Sequence, residues 1–254
     1  MMLDLQKASV LKRVSAWILD GIALLILTVG VCALLSSVLN IDQHSADLEA
    51  HYERYETAYG VKFEITQDAY EAMSKEQQEN YDAAYKALIE DKDAMYSYNM
   101  VLSLTLIVVS IGILLAHLVL EFGVPMFLGN GQTLGKKVFG LGVMRTHGIK
   151  MNGVAMFIRT FLGKYTLETM IPVLVVIMLM FNMTGLMGTL LVLGIGVTQV
   201  VLMIVTRTNA TIHDLLADCV VVDLSSQMIF EDEEELLEYK KRMSAENAAR
   251  ESYF

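Results

Sequence analysis

Cysteine is nearly absent from this 254-residue chain: Cys32 and Cys219 are the only two, too few for a disulfide scaffold. Basic residues are also scarce, 19 Lys and Arg against 29 Asp and Glu, for a formal charge of −10. That balance excludes a general nucleic-acid binder. No H-E-x-x-H, G-x-S-x-G or C-x-x-C signature occurs, and no acidic cluster follows the D-x-[DN]-x-[DN]-G calcium pattern. The stretch Gly129-Asn130-Gly131-Gln132-Thr133-Leu134-Gly135-Lys136-Lys137 fails as a phosphate loop: its first glycine is misplaced, and Lys137 stands where a hydroxyl is needed. His213-Asp214 has no nucleophile or ligand spacing beside it, so a helix cap or ion pair is its expected role. An enzyme, a cofactor and a metal site are therefore not expected.

What the chain has is apolar sequence. Hydrophobic residues make up 54% of it, against about 45–50% in soluble domains, and the mean hydropathy is +0.47. Ala16 to Leu39 is apolar except for Asp20, and Met100 to Phe122 carries only His117 and Glu121. Thr169 to Thr206 holds no charge over 38 residues, too long for one span when roughly 20 residues cross the hydrocarbon. Asn182-Met183-Thr184-Gly185 supplies turn chemistry within it, so a helical hairpin is expected, about Leu167–Phe181 and Leu186–Thr206. A secretory leader is the competing reading of the first run. That run exceeds the usual h-region of about 7–15 residues and no A-x-A-like site follows, so it reads as a span. The fold class expected is all-α, a polytopic bundle of about four transmembrane helices.

Lysine and arginine set the orientation. Between Glu121 and Glu168 there is no acidic residue, while Lys136, Lys137, Arg145, Lys150, Arg159 and Lys164 are basic. Lys7, Lys12 and Arg13 against Asp4 agree with them. A multi-pass protein of the cell membrane is expected, with both termini cytoplasmic. Its segments are an N-terminus with first span (1–39), an external insertion (40–99), the second span (100–122), a basic cytoplasmic loop (123–166), a transmembrane hairpin (167–206), a closing cytoplasmic motif (207–223) and an acidic tail (224–254).

The insertion has 14 acidic and five basic side chains and eight of the 11 tyrosines. Thr66 to Tyr70 and Ser74-Lys75-Glu76-Gln77 read as helix starts, the second as a capping box. Tyr81, Tyr85, Leu88 and Ile89 follow helical spacing. A small helical subdomain is expected, its last helix running toward the second span. It is either an acidic helical pair seamed by tyrosine or a surface that binds a partner or cation. In the basic loop, Val138 to Met144 reads as a short extended segment turning at His147-Gly148. From Asn152, the residues Val154, Phe157, Ile158, Phe161 and Leu162 form an amphipathic helical face suited to a membrane interface or to covering the span ends. After Glu231–Glu235 the tail is helix-prone, with Glu238 four residues before Arg242.

Ionisable groups within a bilayer cost several kcal/mol unless paired or wetted. Asp20 is the deepest. Arg13 projects from nearly the same helix face but roughly 10 Å away along the axis. His117 and Glu121 are four apart, as are Lys164 and Glu168, and Gln199 lies in the fourth span. All fall on the inner side, whereas the outer halves offer small polar residues such as Thr28, Ser36, Ser103 and Thr105. On cost alone two readings stand level: a structural network that pins the inner helix ends, or an ion or proton site reached from inside.

Four ordered motifs resemble the RDD family of membrane proteins. Arg13 to Asp20 matches its opening arginine and first aspartate. Thr133-Leu134-Gly135-Lys136-Lys137-Val138-Phe139-Gly140-Leu141-Gly142-Val143 is similar to its T-x-GK-x-x-x-G-L-x-V segment. Phe157-Ile158-Arg159 resembles its later arginine-bearing helix, and His213-Asp214-Leu215-Leu216-Ala217 its closing H-D-x-x-A. The match covers about residues 10–39 and 100–223. Asp218-Cys219 departs from the family's small residue and threonine, and the insertion and tail lie outside its pattern. The resemblance implies an integral membrane protein, with transport proposed broadly and cation/proton antiport for some members. Others look like membrane-bound regulators.

Two functions follow as expectations. In the first, Asp20 carries a small cation or proton, tuned by Arg13, Glu121 and Asp214. In the second, Arg13, Asp20, His117, Glu121, Arg159, His213 and Asp214 form a structural polar network in a non-transporting adaptor or regulator. That protein binds a membrane partner, or a second copy of itself, through the insertion or tail.

Overall fold

The computed structural model describes residues 7–180 and 185–251. Asp4 and residues 182–184 of the expected hairpin turn lie outside the described residues. The fold is all-α, with four helical runs long and apolar enough to cross a membrane and a two-stranded sheet. The first is α1, Val10–Val38, 29 residues long. The second runs from α5 (Lys92–His117) through a π-helical stretch, Leu118–Gly123, into α6 (Val124–Leu128). The third is α8 (Gly153–Phe157), a π-helical stretch Ile158–Met170, and α9 (Ile171–Met180). The fourth is α10, Gly185–Val205. Their flanks bare large side chains, among them Leu25, Val29 and Leu34 on α1 and Leu186, Val197 and Ile204 on α10. Exposed apolar surface on this scale is stable only against lipid, and the chain is an integral membrane protein.

The amphipathic segment from Asn152 and the third span form one helical run rather than two. Asn152 caps its start by accepting from the Ala155 amide at 2.8 Å, and no breaker interrupts it before Pro172. The chain's two prolines mark where the two π-helical stretches end. Pro125 and Pro172 each stand two residues beyond one. In a regular helix the proline ring collides with the carbonyl four residues back and leaves a backbone acceptor unused. An i→i+5 winding adds a residue per turn, which moves that carbonyl aside and keeps the helix going.

The chain divides into two compact units. One is Thr28–Ile113. It contains α2 (Ile41–Tyr59), α3 (Gln67–Glu71) and α4 (Lys75–Glu90), with α2 packed on α4. Phe63 centres an aromatic seam, with ring centroids 6.0 Å from Tyr52, 5.9 Å from Tyr81 and 6.3 Å from Tyr85. Thr66 caps α3, and Ser74 with Gln77 forms a reciprocal capping box on α4. Asp91 ends α4 and begins α5, accepting from the Asp93 amide at 2.9 Å and the Tyr55 hydroxyl at 3.0 Å, with Arg54 paired to it. A break therefore separates α4 from the helix that enters the second span.

The other unit is Met1–Leu27 with Leu114–Phe254. Its extended segment β1, Leu141–Arg145, turns back at His147-Gly148, where the Arg145 amide meets the Ile149 carbonyl at 2.8 Å. Its main partner is distant: β2, Cys219–Asp223, pairs antiparallel, Leu141 opposite Asp223 and Arg145 opposite Cys219. Alternation puts Leu141, Val143, Cys219 and Val221 on one face, against Ala16, Met156 and Ala217. Met144, Val220 and Val222 occupy the other with Ile229. Lys7 bridges to Val222, and the Ala8 amide donates to Val221, which ties the start of α1 to the sheet. The short helix α7 (Leu134–Val138) leads into β1 and α11 (Ile212–Leu216) leads into β2, after which α12 (Glu233–Glu251) follows.

Ser74→Ala removes one arm of the capping box, a loss of about 0.5–2 kcal/mol. Hydrogen exchange should quicken over residues 75–90 and stay unchanged over residues 141–145.

Candidate functional site

Asp214 is the centre of the buried polar cluster. It stands in the single turn α11, where the Thr211 amide and hydroxyl donate to its Oδ2 at 3.3 and 3.0 Å. Arg13 of α1 donates Nη2 to Oδ2 at 2.5 Å, and Arg159 donates Nε and Nη2 to Oδ1 at 3.2 and 3.0 Å. The carboxylate is 0% exposed and Arg159 1%. At such burial neither charge survives without the other.

Asp20, two turns further along α1, serves a different partner. Its Oδ2 accepts from the Thr133 hydroxyl at 2.5 Å and its Oδ1 from the Gly135 amide at 2.7 Å. Lys136 Nζ lies 3.7 Å from it and donates to Thr133 Oγ1 at 3.1 Å. Asp20 thereby caps α7 from another segment. Gly135 is required by this approach, since any Cβ there would run into the Ala16 carbonyl and the Asp20 carboxyl.

The third group depends on the π winding. Residues five apart share a face there, so Arg159 and Lys164 point the same way. Arg159 reaches Asp214, and Lys164 pairs with Glu121 in the other π-helical stretch. Thr160 Oγ1 joins the two stretches by donating to the Glu121 carbonyl at 2.8 Å. Glu168 accepts from His213 at 2.7 Å, and Gln199 of α10 accepts from the Ile212 amide at 3.1 Å. His117 packs on Tyr165, ring centroids 5.5 Å apart, with Thr169 Oγ1 3.3 Å from its Nε2. Gly163 admits the close crossing of α11, because a Cβ there would overlap His213.

The electrostatics follow from burial and neighbours. Burial works to raise the Asp214 carboxyl, but the positive groups against it, His213 when protonated and the guanidiniums of Arg159 and Arg13 always, hold it well below the carboxylate range. Burial lowers His213 below its ordinary value, assisted by the Arg159 charge and opposed by Asp214 and Glu168. Burial also brings Lys136 down to about 7, with the Lys164 and Arg159 charges adding to it and Glu121 and Asp20 opposing it. The Cys219 thiol, 3.7 Å from Asp214, is pushed up to about 12 by burial and that carboxylate, and stays protonated.

All seven residues singled out in the sequence line this one region, in different pairs from those their spacing suggested. Arg13, expected too far along the axis for a simple contact with Asp20, reaches Asp214. Glu121 pairs with Lys164 and Glu168 with His213. Thr133, Gly135 and Lys136 were visible only as a motif, not as the partners of Asp20. A count carries the missing signal. Outside the insertion, residues 7–217 contain only four acids, Asp20, Glu121, Glu168 and Asp214. The structure gathers four buried cations with them, Arg13, Lys136, Arg159 and Lys164. Among the described residues no group of three His, Cys, Asp or Glu side chains is placed to hold a metal ion.

The family model described as RDD family matches residues 7–218 of the chain. No curated protein and no solved structure matches it.

Asp214→Asn strands two buried guanidiniums and should cost about 3–5 kcal/mol, whereas Asp223→Asn breaks the Lys12–Asp223 pair of 2.5 Å at the surface and should cost about 0–1 kcal/mol. Thermal unfolding in detergent compares them. Lys136 also sets a pH dependence. Its folded value of about 7 lies below the ordinary lysine value of 10.5, so the unfolded chain binds the extra proton between them and stability rises with pH across that window. Melting temperature should climb from pH 7 to pH 9, and Lys136→Met should flatten the climb.

Proposed function

The chain belongs to the RDD family, and on that premise we propose that it is a non-transporting membrane adaptor or regulator. In this reading the bundle is a scaffold and the acidic appendages engage a partner protein. One observation carries it: each of the four carboxylates in the network is already held by donors of the chain itself. A cation carrier needs a carboxylate that exchanges its protein partner for the ion. Releasing Asp214 would strand Arg13 and Arg159, and releasing Asp20 would uncap α7. The spans also supply no second station. Residues 21–38 of α1 and all of α10 lack an ionisable side chain other than Cys32, so a path would have polar sites at one depth only.

The basic residues from 130 to 164 support an orientation with both termini in the cytoplasm of a cell membrane and residues 40–99 outside. The insertion then presents a net charge of −9 on one side, and the chain from Arg207 onward −6 on the other. Charge complementarity favours a partner with a basic face.

A second reading, transport of a proton or small cation through Asp20, draws support from Lys136. That ammonium titrates at about 7 while standing 3.7 Å from Asp20, so a group able to take up and release a proton near neutrality stands beside that carboxylate.

Proteoliposomes containing a pH-sensitive dye separate the two. The adaptor reading expects no dye response to added Na⁺ or K⁺, and co-isolation of a partner in gentle detergent that is lost when residues 41–90 are replaced by a short linker. A cation-driven response abolished by Asp20→Asn would transfer the case to the transporter. Where Asp20 is structural, that variant lowers the melting temperature instead.

A further inference from the structure

The polar network forms one wall of a cavity of about 650 Å³, within the roughly 300–1,000 Å³ of small-molecule sites. The lining divides by chemistry. Arg13, Lys136, Arg159 and Lys164 supply cations, while Trp17 and Leu24 of α1 and Val192, Ile195 and Val200 of α10 supply apolar surface. Trp17 and Val200 are exposed residues, so the cavity is reached from the flank of the spans that faces acyl chains.

Charge in this region is balanced, four cations against Asp20, Glu121, Glu168 and Asp214, but hydrogen-bond donors are not. A guanidinium has five N–H donors and no acceptor. Asp214 uses Nη2 of Arg13 and Nε and Nη2 of Arg159, which leaves Nη1 of each buried without a hydrogen-bond partner. Buried donors are almost always satisfied, and an orphan signals a missing acceptor. The two side chains that carry these groups, Arg13 of α1 and Arg159 of the third span, line the same cavity. A phosphate presents several acceptor oxygens to a pair of arginines. Its charge would also be matched by Lys136, whose ammonium, depressed by burial and by Lys164 and Arg159, gains a counter-ion when an anion arrives.

We propose that this cavity binds an anionic membrane phospholipid, its phosphate oxygens accepting from Nη1 of Arg13 and Arg159 and its acyl chain lying along the apolar flanks of α1 and α10. The headgroup is recognised by donors that water would otherwise have to satisfy inside a cavity open to lipid. Such a site serves an adaptor or a transporter alike.

Two glycines give a test that leaves the ion pairs untouched. Gly21 and Gly196 both line the cavity, and a Cβ at either meets nothing within 4 Å. Gly196→Phe therefore starts a bulky side chain from open space at the cavity lining, and Gly21→Phe does so from α1. The full chain, delipidated in maltoside detergent, is unfolded thermally with phosphatidylglycerol, with phosphatidylcholine of the same acyl chains, or with dodecyl phosphate, and bound lipid is counted by native mass spectrometry. Phosphatidylglycerol should raise the melting temperature by about 5 °C more than phosphatidylcholine and survive as a single adduct. Both glycine variants should lose that difference while melting normally without lipid. Stabilisation by dodecyl phosphate as well would confirm the phosphate as the recognised head, whereas dodecyl phosphate acting alone would overturn the membrane source. Phosphatidylcholine carries the same phosphate beside a quaternary ammonium that the four cations would repel, so equal stabilisation by the two phospholipids overturns the anionic lipid as the occupant. A preference that persists in Gly196→Phe overturns the cavity as its location.

Discussion

The carboxylate of Asp214, shared between Arg13 and Arg159, is the constraint on which the larger unit depends. It joins the first helix, the third helical run and the closing turn through three charged groups, with Asp214 and Arg159 almost completely withdrawn from solvent. Charges so placed cannot be separated without leaving one bare in a medium that does not solvate it. The neighbouring sheet follows the same joint. Cys219 lies five residues beyond Asp214 and begins the strand that reaches back to β1, while Lys7 and Ala8 bring the start of the Arg13 helix onto that strand. Apolar packing covers both faces of the sheet, but the ion triad decides which three segments meet there.

The two prolines shape the polar wall indirectly. Each sits just past a π-helical stretch, and the altered winding changes which residues face inward. Arg159 and Lys164, five apart, would diverge on a regular helix. On the widened one they reach Asp214 and Glu121 together, and Thr160 fastens the two widened stretches to each other. Small residues complete the fit at Gly135 and Gly163, where chain crosses chain too closely for a side chain. A backbone irregularity and two glycines thus do the positioning that longer side chains could not.

Much of this was legible in the sequence. Spans follow from hydropathy and length, and helix starts at Thr66 and Ser74 from capping chemistry, because both are local signals. The seven polar residues stood out through the cost of placing them in lipid. Their pairing did not, because helical spacing favours neighbours at i+4 and the actual partners lie 43 to 201 residues away. The strand pair was half visible: β1 read as extended, but its partner Cys219–Asp223 has no pattern distinguishing it from a short apolar helix. The continuity of the third run was obscured by the polar margin around Lys164 and Glu168, which looks like a surface until the π winding turns it inward.

The sequence separations within the network also set a schedule. Asp20 leaves the ribosome with the first helix, yet the hydroxyl and amide that satisfy it come 113 and 115 residues later, and Arg13 waits 201 residues for Asp214. Through most of synthesis, therefore, the first helix carries charges with no permanent counterpart. It must linger where water or the insertion machinery can shelter them until the final turn arrives. A chain cut short before residue 214 would keep Arg13 and Arg159 exposed as a lasting mark of incompleteness.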